Sequence, residues 1–131
     1  PAYRIDVALA DEEVYAELRE TLAAGESHYV PSLGLSEHLA DIEYHGEFDV
    51  SDGPQTDTVE VDSAVPNAVD DVVLKEGTRC QIEESPAFME SDAGGRTTTG
   101  FTNYAYNPDA DSLEVRNTTT ASIDDRTVVF V

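Results

Sequence analysis

Histidines and hydroxyl-bearing residues cluster in the N-terminal part of this chain: His28, Tyr29, Ser32, Ser36, His38 and His45. An imidazole gains and loses its proton near neutral pH, so it can serve as general base or acid. His28 or His45 as base, with Tyr29 as a second proton donor, has the residue types for metal-independent RNA cleavage. The plainer alternative is three partly exposed histidines on turns. Asp49, Asp52 and Asp57 surround Gly53 in a way that superficially suggests a calcium loop. The alternating ligands and closing glutamate of an EF-hand loop are missing, however, so the stretch reads as a solvated acidic loop. Asp70-Asp71 and Asp124-Asp125 read the same way. The single Cys80 excludes an intrachain disulfide and a cysteine-based zinc site. No Walker loop, GxGxxG or GxSxG occurs. Neither a catalytic set, nor a metal site, nor a cofactor is expected.

Cations are informative because they are scarce. Seven Lys and Arg stand against 28 Asp and Glu, a formal charge of −21, and six of the seven are arginine. Arginine suits bidentate contacts to phosphates and bases and stacks on base faces. Arg79 and Arg96 are the candidates for such contacts, Arg96 because it follows Gly94-Gly95, where backbone could approach a phosphate. At each site the competing reading is a surface arginine paired with a neighbouring carboxylate. Tyr104 and Tyr106 fall on one strand face, suited to base stacking or to cross-strand packing.

The chain is 40% hydrophobic, which separates it from a disordered polyanion. A folded domain with a solvated carboxylate surface suits concentrated salt, where the Debye length shrinks to ~3 Å and self-repulsion is screened. The composition therefore reads as a halophile's. In such salt, attraction to phosphates is largely lost, and RNA recognition rests on hydrogen bonds, stacking and shape. Neither an apolar run of membrane-spanning length nor a signal peptide is visible. The expectation is a cytoplasmic chain with no membrane partner. The sequon Asn117-Thr118-Thr119 would matter only in an exported protein.

Several elements must position these residues. Alternation of Tyr3, Ile5, Val7 and Leu9 predicts a strand. Asp11 predicts a helix cap, followed by Glu12 and Glu13 at the positive end of the dipole. Val14, Leu18 and Leu22 form the helix stripe, and Gly25 ends it. Asp41 to Phe48 reads as a further strand. Ser51 to Asp57 predicts a loop and boundary, so the organisation reads as 1–50, a loop 51–57, and a β-rich region 58–131. There, Val59/Val61 and Cys80/Ile82 alternate, and Val72-Val73-Leu74 is a short apolar run. A long strand from Arg96 to Tyr106 predicts a hairpin with Leu113 to Arg116 across the Asn107-Pro108 turn. Thr127 to Val131 closes the chain as a strand.

The run SHYVPSLGLSEHLADIEYHGEF, Ser27 to Phe48, carries a resemblance. Pro31 biases Val30 toward extended backbone, Gly34 permits a positive φ, and Ser36 suits an N-cap. This strand, helix, Pro-Ser-Leu-Gly loop, short helix, strand order resembles the Cas five family of RAMP proteins, most closely its haloarchaeal type I-B form. The likeness covers Pro1 to Phe48 and, more loosely, Glu83-Glu84-Ser85-Pro86 and Arg96. It implies an α+β fold with the second half of a ferredoxin-like unit, followed by an antiparallel β region. It also implies a non-catalytic role: holding the CRISPR RNA 5′ handle beside the large subunit and backbone subunits of a surveillance complex. On that basis Tyr29, Ser32, Gly34, Ser36, Arg79 and Arg96 are the residues expected to meet RNA or a partner subunit. The chain starts at Pro1 and reads as a C-terminal portion lacking the family's N-terminal strand-helix half. A metal-independent endoribonuclease and a free-standing β-rich interaction domain are the alternatives.

Overall fold

The computed structural model describes residues 3–27, 39–67, 69–92 and 94–130. Among the described residues the fold is mixed and mostly β, with one α-helix and three small antiparallel sheets. Two units divide the chain, residues 1–47 and 48–131.

In the first unit, α1 spans Glu12–Ala23. The Asp11 carboxylate accepts the backbone N–H groups of Glu13 at 2.9 Å and Val14 at 3.1 Å, satisfying two donors that a helix start leaves open. At the other end Gly25 adopts φ +68°. Its N–H reaches the Leu22 carbonyl at 3.0 Å, and that of Glu26 reaches Thr21 at 2.9 Å. This is a Schellman close, the conformation that the glycine predicts. No residue of α1 is buried. Tyr15 donates its hydroxyl to Glu47 Oε1 at 2.5 Å, and Arg19 lies 3.9 Å from the same oxygen.

The strands expected on either side of α1 are not formed among the described residues. Residues 3–9 and 41–48 belong to none of the three sheets. Tyr3, Ile5 and Val7 are more than half exposed. Period-two alternation marks a face able to be buried, but a strand also needs a partner edge to take its N–H and C=O groups, and none among the described residues pairs with these segments.

The second unit holds β1 (Val50–Asp52), β2 (Thr58–Val61), β3 (Val65–Pro66), a 3₁₀ turn (Val69–Asp71) and β4 (Val72–Val73). Two long strands follow, β5 (Gln81–Asp92) and β6 (Gly95–Tyr106), then β7 (Leu113–Arg116), β8 (Ala121–Ile123) and β9 (Arg126–Val128). The sheet orders are β1-β8-β9, β2-β7-β4 and β3-β6-β5. β1 takes Ser51 and Asp52 out of the loop expected over 51–57.

The predicted hairpin partner of β6 is corrected. β6 pairs with β5 and β3, whereas β7 is the centre of a different sheet. Asn107 begins an Asx turn, its side chain accepting the Asp109 N–H at 2.8 Å, and Ala110 takes φ +62°. The chain thereby leaves the β6 sheet and carries Leu113 and Val115 between β2 and β4, where both are about 1% exposed. They join Val59, Val61, Val65 and Ala105 in the core, with Val72, Cys80 and Val129 packed against it. β5 runs on through Ser85-Pro86. Pro86 faces Phe101 at a register irregularity on the sheet edge, a position where a missing N–H costs no ladder bond.

Candidate functional site

The residues that could act at a surface gather along the β5–β6 hairpin. Each strand is 12 residues long, and the connection from Asp92 to Gly95 is two residues. Gly95 takes φ +131°, a backbone state that side chains rarely tolerate. Irregularities at Pro86/Phe88 and Phe88/Met89 cancel, so Glu83 faces Tyr104, the register the short turn would set alone. The Phe88 side chain lies over Gly100, where an added Cβ would come 2.7 Å from the ring.

On one face near the open end, three neutral donors converge on Glu83. Its Oε1 accepts Tyr106 Oη at 2.6 Å and Gln81 Nε2 at 2.9 Å, and its Oε2 accepts Tyr104 Oη at 3.0 Å. The two rings stack, centroids 5.9 Å apart and planes inclined by 27°. Hydrogen bonds from Tyr106 and then Tyr104 hold the Glu83 carboxyl below the ordinary glutamate value, against a weaker opposing desolvation. Glu83, Tyr104 and Tyr106 are all half-buried. The tyrosines thus pack across the strands, and their hydroxyl hydrogens are committed to the carboxylate.

Arg96 lies at the far end of the hairpin, exposed and opposite Ser91. Arg79 lies before β5. Its Nη1 donates to both Asp109 oxygens at 2.8 and 2.9 Å, tying the β4–β5 connection to the turn after β6. This is a surface ion pair, with side chains 66% and 48% exposed, of the kind that contributes little to stability. By the rise of a strand, the two arginines stand on the order of 35–40 Å apart. They do not form one site. Arg4, Arg19, Lys75 and Arg79 each have a carboxylate within 4.0 Å.

Tyr29, Ser32, Gly34 and Ser36, with His28 and His38, lie outside the described residues. His45 is exposed, in a segment without regular structure. Among the described residues, no group of three or more His, Cys, Asp or Glu side chains is placed to hold a metal. Among the described residues, no helix is long and apolar enough to cross a membrane. The Asp62 carboxylate accepts Ser112 Oγ at 2.7 Å and the Thr127 N–H at 2.9 Å, so it stitches β2, β7 and β9 together. Lys75 pairs with Glu114, which is 13% exposed. Sequence reasoning missed Glu83 as the centre of a cluster. The signal was there in the alternation Tyr104/Tyr106 and Gln81/Glu83, once the two strands are known to be neighbours.

No family model, no curated protein and no solved structure matches this chain.

Proposed function

We propose that this chain is part of a non-catalytic CRISPR RNA-binding subunit of the Cas five type, holding the RNA 5′ handle within a type I-B surveillance complex. The observation that carries the proposal is the run Ser27 to Phe48, with its Tyr-Val-Pro-Ser-Leu-Gly-Leu-Ser sequence. The proposal includes the finer fold: residues 1–50 as the second half of a ferredoxin-like unit, completed in the assembled subunit. It also includes a cytoplasmic setting, with the large subunit and backbone subunits as neighbours.

Arg96 supports the reading. It is exposed beside two glycines at the end of a long two-stranded arm. In concentrated salt long-range electrostatics are screened in either direction, so binding rests on short-range contacts such as this one and those of residues 29–36.

The test is a fluorescence-anisotropy titration of labelled 5′-handle RNA at about 2–3 M KCl, with shuffled RNA as control. Preferential, uncleaved binding of the handle is expected. Equal binding of both RNAs, or none, overturns the proposal. Cleavage that persists in EDTA and disappears in His28→Ala or His45→Ala would establish the endoribonuclease instead.

A further inference from the structure

We infer that the Glu83–Tyr104–Tyr106 cluster is a docking point for an arginine side chain of a partner protein. The inference does not depend on the RNA-binding proposal.

The chemistry of the cluster is one-sided. Each tyrosine has a single hydroxyl hydrogen, and both are given to Glu83, as is an N–H of Gln81. A carboxylate offers about four lone-pair sites. Oε1 uses two and Oε2 one, which leaves an acceptor direction on Oε2. The charge of Glu83 is not neutralised within the chain: among the described residues no Lys or Arg lies within 4.0 Å of it. Arg79, the cation nearest in sequence, is spent on Asp109.

Beside this carboxylate lies a ledge of two half-buried aromatic rings, 5.9 Å apart. An ionised acceptor next to aromatic faces attracts a cation twice, through the hydrogen bond and through the ring quadrupole. It repels phosphate. Charge complementarity therefore selects a basic partner over a nucleic-acid backbone, and the surrounding net charge of −21 acts in the same direction. A guanidinium fits better than an ammonium. It is planar, so it can lie on a ring while one N–H reaches Oε2, and it is more weakly hydrated. The site is also preorganised, because three hydrogen bonds fix the carboxylate before any partner arrives.

The test is an NMR titration of the whole chain with Nα-acetylarginine amide, following the ring protons of Tyr104 and Tyr106. Nα-acetylcitrulline amide, the neutral isostere, is the control, and Tyr104→Phe and Tyr106→Phe supply the assignments. Arginine is expected to shift both rings saturably, with at least a fivefold weaker response to citrulline and in Glu83→Gln. Methyl signals of Val61 and Leu113 report whether that variant keeps its fold; if it does not, the arginine–citrulline comparison on the unaltered chain decides. Equal responses to the two probes, or no response of these rings, would overturn the inference. So would shifts produced by a short RNA and not by arginine, which would reassign the ledge to base stacking.

Discussion

Tyr106 reaches diagonally across the β5–β6 ladder to Glu83, donating its hydroxyl hydrogen over 2.6 Å. With Tyr104 it fixes an ionised carboxylate on a hairpin face, and the bond marks the ionised form as the one the fold favours. That has a consequence for acid stability. A carboxyl held below its ordinary value contributes stability above that value and loses it as pH falls through the lowered one. Glu114, held down chiefly by the Lys75 bond and next by Thr58, behaves alike. Lys75 is shifted upward by the same bond, so its contribution disappears only above the ordinary lysine range. Stability-versus-pH curves of Glu83→Gln and Glu114→Gln should therefore lie below wild type at neutral pH. They should converge on it as pH falls below the usual glutamate range. Curves that stay parallel to wild type through acid would contradict the assignment.

Leu113 sits at the centre of the β2-β7-β4 sheet, 1% exposed. Leu113→Ala should cost about 2–5 kcal/mol, the usual range for a leucine truncated in a packed core. Chemical denaturation in concentrated salt measures it. A cost under about 1 kcal/mol would mean that the site is not a packed core.

Gly53 is required for a close approach. Its N–H donates to the Thr120 carbonyl at 2.9 Å. A Cβ there would stand 2.1 Å from Thr120 Oγ1 and 2.8 Å from the Thr120 carbonyl carbon. The hydroxyl can rotate away, but the backbone atom cannot. Gly53→Ala should destabilise by roughly 1–3 kcal/mol through overpacking, read from the same denaturation experiment.

Asp11 caps α1 with two short bonds. Asp11→Ala should remove about 1 kcal/mol from the helix. Hydrogen exchange at Glu13 and Val14 should rise in that variant while the core amides of Val61 and Val115 stay unchanged. Unchanged protection at Glu13 and Val14 would contradict the cap.

What could be read in the sequence was local. Asp11 and Gly25 mark the two ends of α1 because capping uses groups within a few residues of each other. Val59 and Val61 show the buried side of β2 through simple alternation. Pairing between distant strands was less legible. The turn at Asn107-Pro108 resembles a hairpin connection, yet it sends β7 to another sheet, where Leu113 and Val115 are buried in the core. Residues 3–9 alternate as strands do, but alternation carries no information about a partner edge. Arg79 showed the same limit: its type suggested RNA, whereas its partner Asp109, 30 positions away, came only with the fold. The Glu83 cluster needs a register between two 12-residue strands, and that register is set at the glycine turn.

The most direct test of the central proposal is to cross-link 5′-handle RNA to the chain with ultraviolet light and identify the attached peptides by mass spectrometry. Cross-links are expected in the peptide containing Tyr29 to Glu37 and beside Arg96, competed by handle RNA and not by shuffled RNA. An Arg96→Ala chain should lose those at the hairpin end. Cross-links spread evenly over the chain, equally strong with shuffled RNA, or absent altogether would contradict it.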